Sequence, residues 1–183
     1  MKKILYIFIF LTFSNLSIAN ENYQKQIDKL FEKLKTSLDY NNSKKIESKI
    51  WDLWTTHPSE ESLTNLLADG SFFMSQNKLD SAYDAFSKTI ELDPNWAEAW
   101  NKRATVLYLM GEYELSQADI DKVLEIENRH FGALSGQALV QTALKNYQKA
   151  IDRYIEAHKI HPILKTPLIM IEKLQSQIKK ESI

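Results

Sequence analysis

The chain has no cysteine, only four glycines and four prolines in 183 residues, and no strand-length run of alternating apolar and polar residues. Without thiols there is no disulfide framework, no thiolate zinc site, no cysteine nucleophile and no amino-terminal lipid carried on cysteine. Scarce glycine and proline, with no period-two pattern, make the mature chain read as all-helical. Charge of one sign is lacking as well. The 23 Lys and Arg against 24 Asp and Glu leave a net charge of −1, which draws the protein neither to nucleic acid nor to an anionic membrane. There is also no glycine-rich phosphate loop, no nucleophile elbow and no histidine pair at metalloprotease spacing. No enzymatic activity, cofactor or metal is therefore expected.

Long apolar runs are scarce too, and the one that exists is terminal. Lys2 and Lys3 precede a largely apolar stretch from Ile4 to Phe13, followed by Ser14, Asn15 and Ser17-Ile18-Ala19. Ten residues of helix span ~15 Å against the ~30 Å of a bilayer core. Residues 1–19 therefore read as a cleaved secretory signal, with the mature chain starting near Asn20. Cleavage would remove two lysines and no acid, moving the net charge from −1 to −3. The expected location is the periplasm, with no membrane association after cleavage. Secretion, or retention of the segment as an anchor, are the alternatives.

What the chain does have is one pattern stated three times between Leu63 and Pro162, at a spacing of 34 residues. Similar side chains recur at Leu66, Trp100 and Leu134, and small ones at Gly70, Ala104 and Ala138. The columns continue through Tyr113 and Tyr147, Ala82, Ser116 and Ala150, then Phe86, Ile120 and Tyr154, and close at Pro94, Asn128 and Pro162. A period of this size marks a stacked repeat, here over residues 63–96, 97–130 and 131–164.

Each copy holds two amphipathic stretches, a helical hairpin. In the middle copy Trp100, Ala104, Leu107 and Met110 fall on one face. Gly111 is placed to end that helix in a left-handed conformation. From Tyr113 onward Ile120, Val123, Leu124 and Ile126 are expected inside, with Asp119, Asp121, Lys122 and Glu125 toward water. The small columns predict close approach of helix backbones.

Flanking segments complete the stack. Tyr23 to Leu38 carries Ile27, Leu30, Phe31, Leu34 and Leu38 on one side. Tyr40 to Ser43 then reads as a turn, and Ile46, Ile50, Leu53 and Trp54 as a second helix ended by His57-Pro58. Residues 20–58 are thus a degenerate hairpin. Residues 165–183 read as a capping helix, with Thr166 as cap, Pro167 at the first helical position and Leu168, Ile171, Leu174 and Ile178 inward.

Trp100, Ala104, Tyr113, Ser116, Ile120 and Pro162 at this period resemble the tetratricopeptide repeat. Asp69 and Arg103 stand where that family usually has an apolar residue, Gln141 where it usually has Tyr, and Asn128 where it usually has Pro. The resemblance implies an α-α superhelix, a solenoid in which the first helix of each copy lines a concave groove. The open positions would be Glu98, Asn101, Lys102, Thr105, Tyr108 and Leu109, then Gly132, Ser135, Gly136, Leu139, Thr142 and Ala143. Small residues in the second set predict a trough beside Tyr108. Asn101 and Lys102 are candidates to hydrogen-bond a peptide backbone or carboxylate, and Tyr108, Leu109 and Leu139 to supply apolar contact, with Thr105, Ser135 and Thr142 on the walls. The set of Lys, Asn and Arg with which some members grip a carboxyl-terminal chaperone tail is replaced here mainly by Ser, Thr and Gly, so that activity is not carried over.

The implied partner is a protein or peptide. Two competing expectations are that the carboxyl-terminal helix folds back to fill the trough, and that atypical ends self-associate. Trp51 and Trp96 are less constrained: Trp96, just after Pro94 at a helix start, reads ordinarily as a staple contact with the next turn, and either of the two, if exposed, would favour an interaction surface. His158 and His161 read as helix-end residues and not as metal ligands.

Overall fold

The computed structural model describes residues 21–181; the segment read as an export signal, 1–19, lies outside the described residues. Among the described residues there are nine α-helices and no strand. None of these helices is long and apolar enough to cross a membrane. The chain divides into two compact units, one ending at Glu61 and the other starting at Ser62.

The first unit contains α1 (21–36) and α2 (Tyr40–Thr55). Apolar residues three and four apart bury Ile27, Phe31 and Leu34 from α1 and Ile46, Ile50 and Trp54 from α2. The Trp54 ring lies 5.9 Å from Phe31 and 5.1 Å from Trp51, which meets it edge-on. The expected turn at Tyr40 to Ser43 is corrected: these residues are the first turn of α2. Asp39 is the reason, because its Oδ1 accepts the Asn42 N–H at 2.7 Å and caps the helix immediately before Tyr40. Leu38 therefore lies in the link, 95% exposed, and not on the buried side.

The second unit is a stack of hairpins: α3 (Glu61–Ser75) with α4 (Leu79–Leu92), α5 (Ala97–Met110) with α6 (Tyr113–Ile126), and α7 (Phe131–Ala143) with α8 (Tyr147–Ile160), closed by α9 (Lys165–Glu181). From α4 onward each helix packs on the next, and α5 also meets α7. The period is written into the backbone. Asn77, Gly111 and Lys145, 34 residues apart, all bend the chain within their hairpins at positive φ, 56°, 84° and 60°. Only Gly111 takes that conformation without a Cβ penalty. The second helices end alike, with Asp93, Glu127 and His161 leaving helical geometry at φ −139°, −138° and −125°. Pro94 and Pro162 push the preceding residue toward that conformation. Glu127 adopts it in front of Asn128, so the bend survives without the ring.

The small columns lie where backbones approach closely. A Cβ on Gly70 would sit 2.5 Å from the Phe86 ring. Phe86 is fully buried among Leu63, Leu67 and Trp96, a burial worth about 1.5–3 kcal/mol. Ala104 shares a cluster with Ile120, and Ala138 one with Tyr154. The Ser116 hydroxyl donates to the Ala104 carbonyl at 2.8 Å, so a small polar residue also closes that contact.

Several positions differ from the sequence reading. Of the two readings of Trp96, the packed one holds and the exposed one does not, since it is buried in the core. Met110 and Ile126, expected inside, are 40% and 41% exposed. Asp119, expected in water, is buried in a bidentate pair with Arg103 at 2.7 and 2.8 Å. The Arg103 guanidinium also donates to Ser87 Oγ at 3.2 Å and lies over Trp100 and Tyr83. A planar cation with an apolar stem thus fills an apolar column and ties the middle copy to the one before it. The hydrogen bond to Asp119 raises the guanidinium above its ordinary value, against the opposing effect of burial. Gln141, in the column where Tyr is usual, donates to Gln117 Oε1 at 2.8 Å, and Gln117 and Gln137 both donate to Asp121. A polar chain there links α6 to α7.

Thr166 is not the cap of α9, because the helix begins at Lys165. That is the same point in the 34-residue period as Ala97 and Phe131, where α5 and α7 begin. Pro167 sits in the first turn, where its missing N–H leaves no bond unmade. In the period α9 is thus a further first helix. Leu174, in the column of the buried Val106 and Val140, packs against α8 with Met170, Ile171 and Ile178 around it. Leu168, in the column of Trp100 and Leu134, is 46% exposed, since no paired second helix follows among the described residues.

Candidate functional site

The first helices of the second and third copies, α5 and α7, bound a small trough whose floor is α6. Asn101, Ala104, Thr105 and Tyr108 come from α5, Ser116 and Ile120 from α6, and Gly132, Gly136 and Leu139 from α7. Steps of three and four aim each set at the same opening. The trough exists because Gly132 and Gly136 present no side chain. A Cβ on Gly136 would meet only Ile120 Cδ1, at 3.8 Å. Its volume of about 70 Å³ suits a side chain of a few heavy atoms, and its walls are mostly apolar.

Four of the residues singled out from sequence converge here: Asn101, Thr105, Tyr108 and Leu139. The other four do not line the trough. Lys102 is drawn toward Glu98, its Nζ 3.3 Å from Oε1. Leu109 is 53% exposed and points elsewhere. The Ser135 hydroxyl donates to the Phe131 carbonyl at 2.8 Å, and that of Thr142 to the Ala138 carbonyl at 2.7 Å. Both spend their proton on their own helix.

Glu98 is the residue the sequence reading misplaced. It was expected among the open positions, and it is fully buried. Its Oε2 accepts from Asn101 Nδ2 at 2.9 Å and from His130 Nε2 at 3.0 Å. His130, also fully buried, is the N-cap of α7, and its Nδ1 accepts the Ala133 N–H at 3.0 Å. One ring nitrogen accepting means that the other carries the proton, so the ring is the neutral Nε2–H tautomer. Lys102 then supplies the positive charge that a buried carboxylate requires. This arrangement locks the first turn of α5 to the start of α7 at one end of the trough. It also commits the Asn101 amide nitrogen, leaving Oδ1 as the group Asn101 offers to a partner. No periodic signal announces it, because the Glu98 column otherwise holds Thr64 and Gly132, and the His130 column Trp96 and Leu164.

The carboxyl-terminal helix does not fill the trough. All the lining residues belong to α5, α6 and α7, while α9 packs on α8. Leu174 holds it there, because the face of a first helix that meets the preceding copy is the apolar one. His158 and His161 part company: His161 is buried with its ring edge-on to Phe131, and His158 Nδ1 faces the Leu164 carbonyl at 3.3 Å.

Comparison with known proteins places this geometry. The family model of the tetratricopeptide repeat matches residues 97–130, the stretch of α5 and α6. A TPR repeat-containing protein of Rhizobium etli is 36% identical over 146 residues, covering 74% of this chain and 70% of that protein. Among solved structures, the first TPR of Spaghetti (RPAP3) bound to HSP90 peptide SRMEEVD superposes with a TM-score of 0.62 at 18% identity, over 64% of this chain and 93% of that one. The Yersinia enterocolitica type III secretion chaperone SycD, in complex with a peptide of the translocator YopD, gives 0.61 at 13% identity, over 67% and 98%.

Proposed function

The chain belongs to the tetratricopeptide repeat proteins, and on that premise we propose that it is a non-catalytic scaffold that holds a protein or peptide partner at the trough between α5 and α7, in the bacterial cell envelope. The observation that carries the reading is the glycine-walled opening beside Tyr108, backed by an asparagine whose amide is already fixed. A short apolar side chain of the partner enters between Tyr108 and Leu139, while its backbone N–H donates to Asn101 Oδ1. Rigid placement of Asn101 by Glu98 lowers the ordering cost of that bond. The structural neighbours support the general mode, since Spaghetti and SycD were each solved with a bound peptide. Envelope location rests on the pattern from Lys2 to Ala19.

A photo-crosslinking residue at Leu139, used in intact cells, tests the trough. It is expected to capture a defined partner, and Gly136→Leu, which fills the opening, is expected to abolish capture without lowering the thermal midpoint. Equal capture by both forms would end the assignment. Amino-terminal sequencing of fractionated protein tests the location: a chain starting near Asn20 in the periplasmic fraction is expected, and one that keeps Met1 in the cytoplasm overturns it.

A further inference from the structure

The helical pair of the first unit carries a second surface, separate from the trough. Between α1 and α2 runs an open slot of about 480 Å³, with Lys29 and Lys33 on one rim, Lys49 and Asp52 on the other, and Leu30 and Leu53 between them. Both leucines are half-buried, and all three lysines are exposed. The rims hold three ammonium groups against one carboxylate, an excess of positive charge on a chain whose net charge is −1. Two other lysines of the same helices are already paired, Lys25 with Glu21 at 2.6 Å and Lys44 with Glu47 at 2.7 Å. Lys29, Lys33 and Lys49 form no ion pair with any described residue.

We propose that this slot receives an acidic amphipathic helix of a partner protein. Two facing helix rows with an apolar floor accept the ridge of a third helix at an interaxial distance of ~8–10 Å. Lys29 and Lys33 are one turn apart, ~6 Å along the axis, the spacing of two glutamates at i and i+4 on a helix lying alongside. Leucine-type residues on the face between those glutamates reach Leu30 and Leu53. A flat anionic bilayer would touch the lysine tips but not the floor, and a free anion would leave the leucines unused. Charge complementarity sets the approach and register, and apolar burial at the floor holds the helix in place.

The test uses the chain and a labelled helical peptide of about 16 residues, with leucines on one face and glutamates on its flanks, followed by fluorescence anisotropy. Its glutamine counterpart is expected to bind at least about tenfold more weakly. The triple variant Lys29→Glu, Lys33→Glu, Lys49→Glu should weaken the acidic peptide by a similar factor while its circular dichroism and thermal midpoint stay unchanged. Binding of the acidic peptide should also fall as salt rises from about 50 to 300 mM. Gly136→Leu should leave this binding intact, which separates the slot from the trough. Equal affinity for the two peptides, or an undiminished triple variant, overturns the proposal. So does capture of phosphatidylglycerol vesicles without peptide binding, and so does a concentration-dependent gain in mass that the triple variant abolishes, which would make a second copy the occupant.

Discussion

Replacing Gly70 and Gly136 by alanine, one at a time, separates close contact from helix propensity. Both glycines are inside helices of the second unit, α3 and α7, so each substitution gains about 0.8–1 kcal/mol of helix preference. The surroundings differ. At Gly136 the new Cβ meets Ile120 Cδ1 at 3.8 Å, ordinary contact. At Gly70 it comes to 2.5, 2.9 and 2.9 Å from three Phe86 ring atoms, and Phe86 is fully buried, with Leu63, Leu67 and Trp96 in the same cluster. Overpacking of this kind costs about 1–3 kcal/mol. Gly136→Ala is therefore expected to raise stability by about 1 kcal/mol, and Gly70→Ala to lower it by up to about 2 kcal/mol. The propensity gain cancels in the comparison, leaving the contact cost. At about 2–4 °C per kcal/mol for a chain of this size, the two thermal midpoints should lie about 2–12 °C apart, read by circular dichroism. Coincident midpoints, or a more stable Gly70→Ala, would refute the claim that this column records backbone approach.

Arg103→Met strands the Asp119 carboxylate in a buried site and should cost about 3 kcal/mol in urea unfolding, whereas the double variant with Asp119→Leu should recover most of it. A double variant as unstable as the single would show that the cation, and not the stranded charge, matters. Lys145 holds a positive φ of 60°, so Lys145→Gly is expected to raise the urea midpoint by an amount equivalent to about 1 kcal/mol, and a lowered midpoint would contradict it. Burial, with Tyr108 nearby adding to it, pushes the Tyr154 phenol up to about 12 from its ordinary 10.0. The folded state thus holds this proton more tightly than the unfolded one, and the resulting stability is whole below pH 10 and lost as pH rises through 12. Tyr154→Phe should lose less stability over that interval; identical pH profiles would contradict the shift.

Much of the fold was legible because its signals are local. Leu107 and Val123 announce buried faces by spacing, and Gly111 announces a bend by its missing side chain. Misreadings fell where two local signals compete or where a partner helix decides. Tyr40 to Ser43 carry turn-forming residues, but Asp39 caps α2 ahead of them and draws them into its first turn. Leu168 carried the right spacing for burial, but no paired second helix follows it among the described residues. Asp119 looked like an ordinary solvated acid until Arg103 reached it from 16 residues away. Of the residues singled out from sequence, Asn101, Thr105, Tyr108 and Leu139 line one trough because they fall at helical steps on facing helices, while Lys102, Ser135 and Thr142 turn to partners on their own helices that a periodic pattern does not show.

By itself, the amino-acid order determined that the chain is helical, that its helices pair, and that the pairs recur every 34 residues, since spacing, bends and caps act within a few residues of one another. Only the packed structure decided that Glu98 and His130, 32 positions apart, would meet at 3.0 Å, and that two glycines would leave a trough instead of a tight contact. Those outcomes depend on distances between helices, which follow from every side chain in the interface together and from no single stretch of it.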